Sequence, residues 1–527
     1  MSGFPWLTVM GAIPLVGALV IAAIPNPAGI AQADRDARAL LAKWFALVFT
    51  LATLAIAIVV AVRFKPGGPQ FQFTEIYSWI PQFGVHYAVG VDGIALVLVL
   101  MSVVLMPIVV LASWNDADVG KRSVKTYFSL MLVLETMIIG VFVATDVFLF
   151  YVFFEAMLIP MYFMIGSFGV GQRQYAAVKF LLYSLLGGLL MLVAIIALYV
   201  YSAHGGAKGT FLFTDLTHLT LSLPVQKWLF LGFFVAFAIK APLWPFHTWL
   251  PDAATAAQPG AAVVLVGVLD KVGTFGMLRY CLELFPAGAR YFTPLVITLA
   301  VIGILYGAIV AIGQTDMKRL IAYTSVSHFG FIALGIFVLT TQGQSGATLY
   351  MVNHGFATGA LFLIAGFLIT RRGSQRIADY GGVQKVAPIL AGLFLLAGLA
   401  TLSLPGLSTF VSEFLVLVGT FTRYKVPAVF ATLGMILAAI YILWMYQRTM
   451  NGPTREEVKG MPDLKARELW AVGPLVALII ALGVYPQPIL NIINPAVRHT
   501  MTQIHATDPP PTVSRPAGSA GVKGATP

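Results

Sequence analysis

Long stretches without Asp, Glu, Lys or Arg recur along this sequence, among them 1–33, 44–62, 93–115, 291–315, 320–370, 386–412, 426–447 and 469–497. Most match the roughly 20 apolar residues that cross a bilayer as a helix, and 320–370 is long enough for two crossings. That pattern leaves one reading, an all-α polytopic membrane protein. The composition agrees. Of 527 residues, 59% are hydrophobic and 10% charged, against about 25% charged in soluble chains.

The pattern divides into fourteen expected helices, near 4–24, 41–62, 91–113, 125–144, 146–166, 177–201, 226–246, 255–280, 292–313, 318–340, 346–369, 388–421, 427–449 and 469–489. The net charge of +11 does not point to nucleic acid, because its placement follows the helices. Of the 32 Lys and Arg, 19 fall in loops after odd-numbered helices and 11 in the opposite loops and ends. The positive-inside rule then puts both termini outside the cytoplasm. Cys281 is the one cysteine, so this chain offers neither a disulfide nor a cysteine metal site. No cleavable signal is evident, and the first apolar block reads as a retained helix.

Outside the helices, the loop 63–90 contains "QFQFTEIY", whose alternation predicts a short hairpin on the outer surface. The charged linker 452–468 separates the last two helices. From Thr507 the chain is rich in Pro, Gly and Ala, a composition expected to be disordered unless a partner orders it.

Two helices carry breakers, the seventh in "KAPLWPFH" and the twelfth in "SLPGLSTFVSEF". Pro242 and Pro245 are expected to free the carbonyls of Ala238 and Ala241, and Pro405 that of Thr401. Free carbonyls at membrane depth survive only inside protein or beside water. The breaks lie five helices apart, so a five-helix unit repeated in tandem must be inverted across the membrane. Broken helices paired in inverted repeats point to an ion-handling site near the midplane. The expected divisions are 1–116 (three helices and the hairpin), 117–285 and 286–450 (the two repeats), 451–506 (linker and last helix) and 507–527 (tail).

Titratable residues expected inside the membrane are few: Glu135, Glu155, Lys240, Asp270, Lys271, His328, His354 and Glu413. Each costs about 2.5–3.5 kcal/mol at a helix centre on insertion scales, so such a set calls for a function. Desolvation lowers the proton affinity of a buried lysine and raises that of a buried carboxylate, bringing both towards neutral pH. Histidine titrates there already. Together they suggest a hydrated row of proton carriers. Some have plainer readings. Glu135 and Asp270 fit a static ion pair, His328 serves equally as a satisfied core donor, and His247 can simply face the interface. The sequence shows no Walker A motif, no GxGxxG, no metal-ligand cluster and no redox centre.

"FAIKAPLWPFHTWLPDA", "LDKVGTFGMLR", "MKRLIAYTSVSHFGFI", "NHGFATGALFL" and "LPGLSTFVSEF" together resemble the antiporter-like subunits of respiratory complex I. The resemblance is ordered and runs from about residue 90 to 450. Within that family Glu413 resembles the M type, since the L and N types have a lysine there. The resemblance implies inverted five-helix repeats with helices 7 and 12 broken. It implies that Glu155 pairs with Lys240 near a neighbouring subunit, with Glu135 as an auxiliary. Lys271 is then the central carrier, linked through His328 and His354 to Glu413. It further implies a proton-translocating subunit of NADH:quinone oxidoreductase in a bacterial plasma membrane, flanked on both sides by other membrane subunits, including antiporter-like ones. No cofactor is expected on this chain. FMN, iron–sulfur clusters and quinone belong to other subunits. The alternative is a subunit of a multisubunit sodium/proton antiporter.

Overall fold

The computed structural model describes residues 3–25, 31–117, 123–204 and 208–510. The chain enters through α1 (Trp6–Ala23) and α2 (Gln32–Arg63), then forms an antiparallel hairpin of β1 (Gln72–Ile80) and β2 (Val85–Val91). The expected hairpin is present. Glu75 of β1 accepts hydrogen bonds from the backbone N–H of Leu7 and Thr8, which ties the start of α1 to the hairpin.

Six helices follow: α3 (Gly93–Ala112), α4 (Val124–Val143), α5 (Val147–Ala156), α6 (Leu158–Phe168), α7 (Arg173–Ser202) and the single turn α8 (Phe213–Leu216). Next come α9 (Leu223–Lys240), α10 (Trp249–Ala256), α11 (Pro259–Val264) and α12 (Asp270–Gly276). The segment Pro259–Leu282 is one continuous helix, with π-helical turns at Leu265–Leu269 and Met277–Leu282 on either side of α12. The second half holds α13 (Pro286–Ile312), α14 (Met317–Phe337), α15 (Thr341–Arg372), α16 (Pro388–Thr401), α17 (Ser408–Arg423) and α18 (Lys425–Met450). It closes with α19 (Ala466–Val484) and α20 (Gln487–Gln503). Thirteen helical segments among the described residues are long and apolar enough to cross a membrane.

Connections gather at two ends of the bundle. At the hairpin end Ala88 O accepts from Thr145 N, and Phe211 O from Val147 N. At the opposite end, which carries the charged linker, Val170 N donates to Ala256 O and Met317 N to Gln375 O. Caps set several boundaries. Asp146 accepts from Phe148 N and Leu149 N, and Asp316 accepts from Arg319 N, each satisfying orphan donors of a first turn.

Three helices form the centre. Pro259–Leu282 is buried throughout and α14 and α15 are almost so, whereas α2, α18 and α19 leave two-thirds of their apolar windows unburied. Apolar burial adds little drive between helices in lipid, so close backbone approach matters more. A Cβ on Gly273 would lie 2.5 Å from Phe237 O and 2.6 Å from Ala241 N. Only glycine lets α12 reach the end of α9 there.

Both expected breaks occur, with corrections in detail. The seventh helix ends at Lys240 and resumes as α10, through a stretch with a cis Trp244–Pro245 bond. Ala238 O is not free: Leu243 N reaches back to it at 2.9 Å. The twelfth divides into α16 and α17 around a turn where Ser403 and Gly406 have φ of 64° and 93°. A helix runs on past the expected end of the last crossing, since α20 follows α19 almost directly. The tail begins ordered: Thr507 O accepts from Arg423, and the Asp508 carboxylate accepts from Thr341 N at 2.7 Å. The rest of that expected tail, 511–527, lies outside the described residues.

Candidate functional site

Lys271 occupies the centre of the buried helix and is itself fully buried. Its Nζ lies 2.7 Å from His354 Nδ1 and donates to Val266 O at 2.5 Å. Val266 belongs to the first π-helical turn. Such turns leave carbonyls outside the regular ladder and recur at functional sites. The ring of Phe329 stands 5.2 Å from the ammonium, close enough for a cation–π contact.

From Lys271 the polar side chains continue through ring contacts, with His354 Nε2 and His328 Nδ1 left without hydrogen-bond partners among the described residues. His354 and His328 have ring centroids 5.2 Å apart, and His328 and Tyr350 are at 5.8 Å. Tyr350 donates its hydroxyl to Glu413 at 3.5 Å, and the Ser403 hydroxyl donates to the same carboxylate oxygen. The His328 ring is hydrogen-bonded to the backbone of Thr401. That carbonyl ends α16 at the break, as expected from Pro405. Lys271, His328, His354 and Glu413 therefore form one row, drawn from α12, α14, α15 and α17.

Glu155 and Lys240 form a second group. The ammonium of Lys240 lies 5.1 Å from the Phe154 ring and 5.6 Å from Phe180. Lys240 Nζ and Glu155 Oε1 each lack a hydrogen-bond partner among the described residues, so the pair stands open. Glu155 lies against α7 at Gly188, where an added Cβ would fall on its carboxylate. Asp270 is within electrostatic range of both Lys240 and Lys271. It is fully buried, and neither of its oxygens has a hydrogen-bond partner among the described residues. The static pair with Lys271 expected from adjacency does not form, because neighbouring helical residues point about 100° apart.

Glu135 is fully buried on α4, and neither carboxylate oxygen has a partner among the described residues. His247 does not face an interface. It is 2% exposed and packs against the rings of Tyr306 at 5.0 Å and Tyr323 at 6.2 Å.

Sequence reasoning missed Tyr350, one turn before His354 on α15, although that i, i+4 spacing was available as a signal. It also missed Arg279 in "GMLRYCLE", a stretch that reads as a helix flank. Arg279 is buried and pairs with Asp92 at 2.6 Å. Between Lys271 and Arg279 stands a layer of rings. Phe142 meets Phe275 at 5.3 Å, and Tyr280 meets Phe150 at 4.4 Å and Phe233 and Phe237 at 6.2 Å.

Comparison with known proteins adds the family. The family described as NADH:quinone oxidoreductase/Mrp antiporter, transmembrane, matches residues 144–440. The chain is 55% identical to NADH-quinone oxidoreductase subunit M of Mycobacterium tuberculosis strain H37Rv, over 99% of this chain and 98% of that one. It is 43% identical to NADH-quinone oxidoreductase subunit M of Rhodobacter capsulatus, covering 95% and 97%. Among solved structures, a chain of respiratory complex I from Thermus thermophilus superposes with a TM-score of 0.83 at 31% identity, covering 94% and 99%. A chain of the Mrp complex from Dietzia shares the fold at a TM-score of 0.82 and 20% identity, covering 95% and 98%. On these matches and the buried row they enclose, the chain belongs to the NADH:quinone oxidoreductase/Mrp antiporter family of transmembrane subunits, on its subunit M side.

Proposed function

We propose that this chain is a proton-translocating membrane subunit of NADH:quinone oxidoreductase, moving protons along the row Lys271–His354–His328–Tyr350–Glu413. The single observation that carries this is the succession of that row through side chains that are all buried inside the bundle. Each member can hold or pass a proton, and the spacings suit transfer directly or through one water. Glu155 and Lys240 act as the switch. Closing that pair places a negative charge at Lys240 and alters the field at Asp270 and, beyond it, at Lys271. Glu135 serves as an auxiliary carboxylate. Quinone reduction takes place on other subunits, which carry the FMN and the iron–sulfur clusters, and its free energy drives the switch.

In this reading the chain sits in a bacterial plasma membrane between other membrane subunits. The linker end faces the cytoplasm, and the hairpin and both termini face outward. The positive-inside bias supports that orientation. Two inverted repeats, helices four to eight and nine to thirteen, organise the two groups.

The test is NADH-driven acidification of inverted membrane vesicles. Lys271→Ala is expected to cut acidification by roughly a hundredfold, the lower side of what a positioned proton-transfer group contributes. Lys240→Ala should depress NADH:quinone activity and acidification together. If both persist while the cells lose sodium tolerance, the subunit is an antiporter component instead.

A further inference from the structure

At the hairpin end the helix that carries Lys271 finishes in a second, separate cluster. Arg279 Nη2 pairs with Asp92 at 2.6 Å, while Arg279 Nη1 stands 3.9 Å from Glu283 Oε1 and has no hydrogen-bond partner among the described residues. All three side chains are at most 5% exposed. Glu283 is held from two other directions. Thr500 of α20 donates to it at 2.8 Å, and Gln70 of the loop before β1 donates at 3.3 Å. Beside the cluster lies a cavity of about 310 Å³, bordered by Gln70, Asp92, Arg498 and His499.

The charge count decides how this cluster is protonated. One guanidinium between two carboxylates leaves a net negative charge in a buried place, a costly state that one proton relieves. Asp92 has the shorter ion pair and also accepts from Ala95 N at the start of α3, so the guanidinium is committed to Asp92 and stands farther from Glu283. Glu283 is then the carboxylate placed to take the proton. Burial raises its pKa to about 7, against the Arg279 charge and the Thr500 hydrogen bond and with repulsion from Asp92.

We propose that Glu283, with Arg279 as its movable counter-charge, is the group through which protons leave the protein at the hairpin end. In the release step the O–H bond of the Glu283 carboxyl breaks and the proton passes to water in the cavity. Arg279, Thr500 and Gln70 then hold the carboxylate. The π-helical turn Met277–Leu282 carries Arg279 and Tyr280 between Lys271 and Glu283. Its irregular backbone bonds make it the stretch best able to re-aim those side chains. The other titratable and charged groups facing the cluster are Tyr280 on the same helix and Arg498 and His499 on α20.

This proposal rests on the pump reading above, so the experiment separates the two. Inverted vesicles carrying Glu283→Gln, Thr500→Val or Lys271→Ala are clamped at a series of lumenal pH values, and protons moved per NADH are measured. Glu283→Gln is expected to lower that ratio at least twofold. Thr500→Val removes a hydrogen bond that favours the carboxylate, so the Glu283 pKa rises and pumping fails at a higher lumenal pH than in wild type. A wild-type ratio in Glu283→Gln overturns the proposal. If that variant does not assemble, an unshifted Thr500→Val profile overturns it. Loss of pumping in Lys271→Ala with Glu283→Gln unaffected rejects the exit site alone. Normal pumping in Lys271→Ala rejects the pump reading itself.

Discussion

Glu155 is a carboxylate with a reserved space. The absent side chain of Gly188 leaves room for it on α7, since a Cβ there would overlap the carboxylate carbon and Oε1. Gly188→Ala should therefore push Glu155 out of line with Lys240. Coupled NADH oxidation is expected to fall several-fold while the amount of assembled complex stays near wild type, and unchanged coupling would show that Glu155 needs no fixed seat. Tyr350→Phe probes the far end of the row by removing the hydroxyl through which the ring packed on His328 donates to Glu413. Its acidification rate should drop while the quinone-binding KM is unaffected. Most of the row was legible because charge in apolar sequence is anomalous: Lys271, His328, His354 and Glu413 stand out residue by residue. Tyr350 did not, because a tyrosine in an apolar helix breaks no rule. Asp270 was misjudged because adjacency in sequence suggested a pairing that helical geometry forbids.

The two broken helices were legible as elements, since proline cannot continue the backbone ladder. Which carbonyls they would free was only half legible. Thr401 is used as expected, by His328, but Leu243 N folds back onto Ala238 O, a local turn that proline positions alone do not specify. The last element was hidden differently. The stretch 469–497 is one uncharged block, so absence of charge does not separate α19 from α20, and the boundary is carried instead by Pro486 and Pro488 at the start of α20. Gly406 offers a direct test of the second break. It sits at φ 93°, and a Cβ added there would have no atom within 4 Å, so the cost of Gly406→Ala is purely conformational, about 1–2 kcal/mol. The thermal inactivation midpoint of the purified complex should fall. A wild-type midpoint would mean that the turn adopts another conformation in the assembly.

At the scale of the whole molecule the prediction concerns sidedness. The single cysteine, Cys281, is fully buried, so added cysteines can be labelled without removing it. Ser78→Cys, on the exposed face of β1, should react with a membrane-impermeant maleimide in intact spheroplasts. Glu456→Cys, exposed in the linker, should react only after permeabilisation. The reverse pattern would invert the orientation. The overall class was legible from uncharged blocks alone, because a bilayer admits so few backbones. The inside of the bundle was not, because helices in lipid choose neighbours by small residues and shape. The ring layer of Phe142, Phe150, Phe233, Phe237, Phe275 and Tyr280 has an electrical meaning. Polar, wettable regions on either side conduct, so the membrane voltage drops mainly across such a dry partition. Every 100 mV applied there weighs about 2.3 kcal/mol on each proton that crosses. The rings that separate Lys271 from the Arg279–Glu283 cluster are therefore where the cell's own voltage pushes back hardest on an outgoing proton.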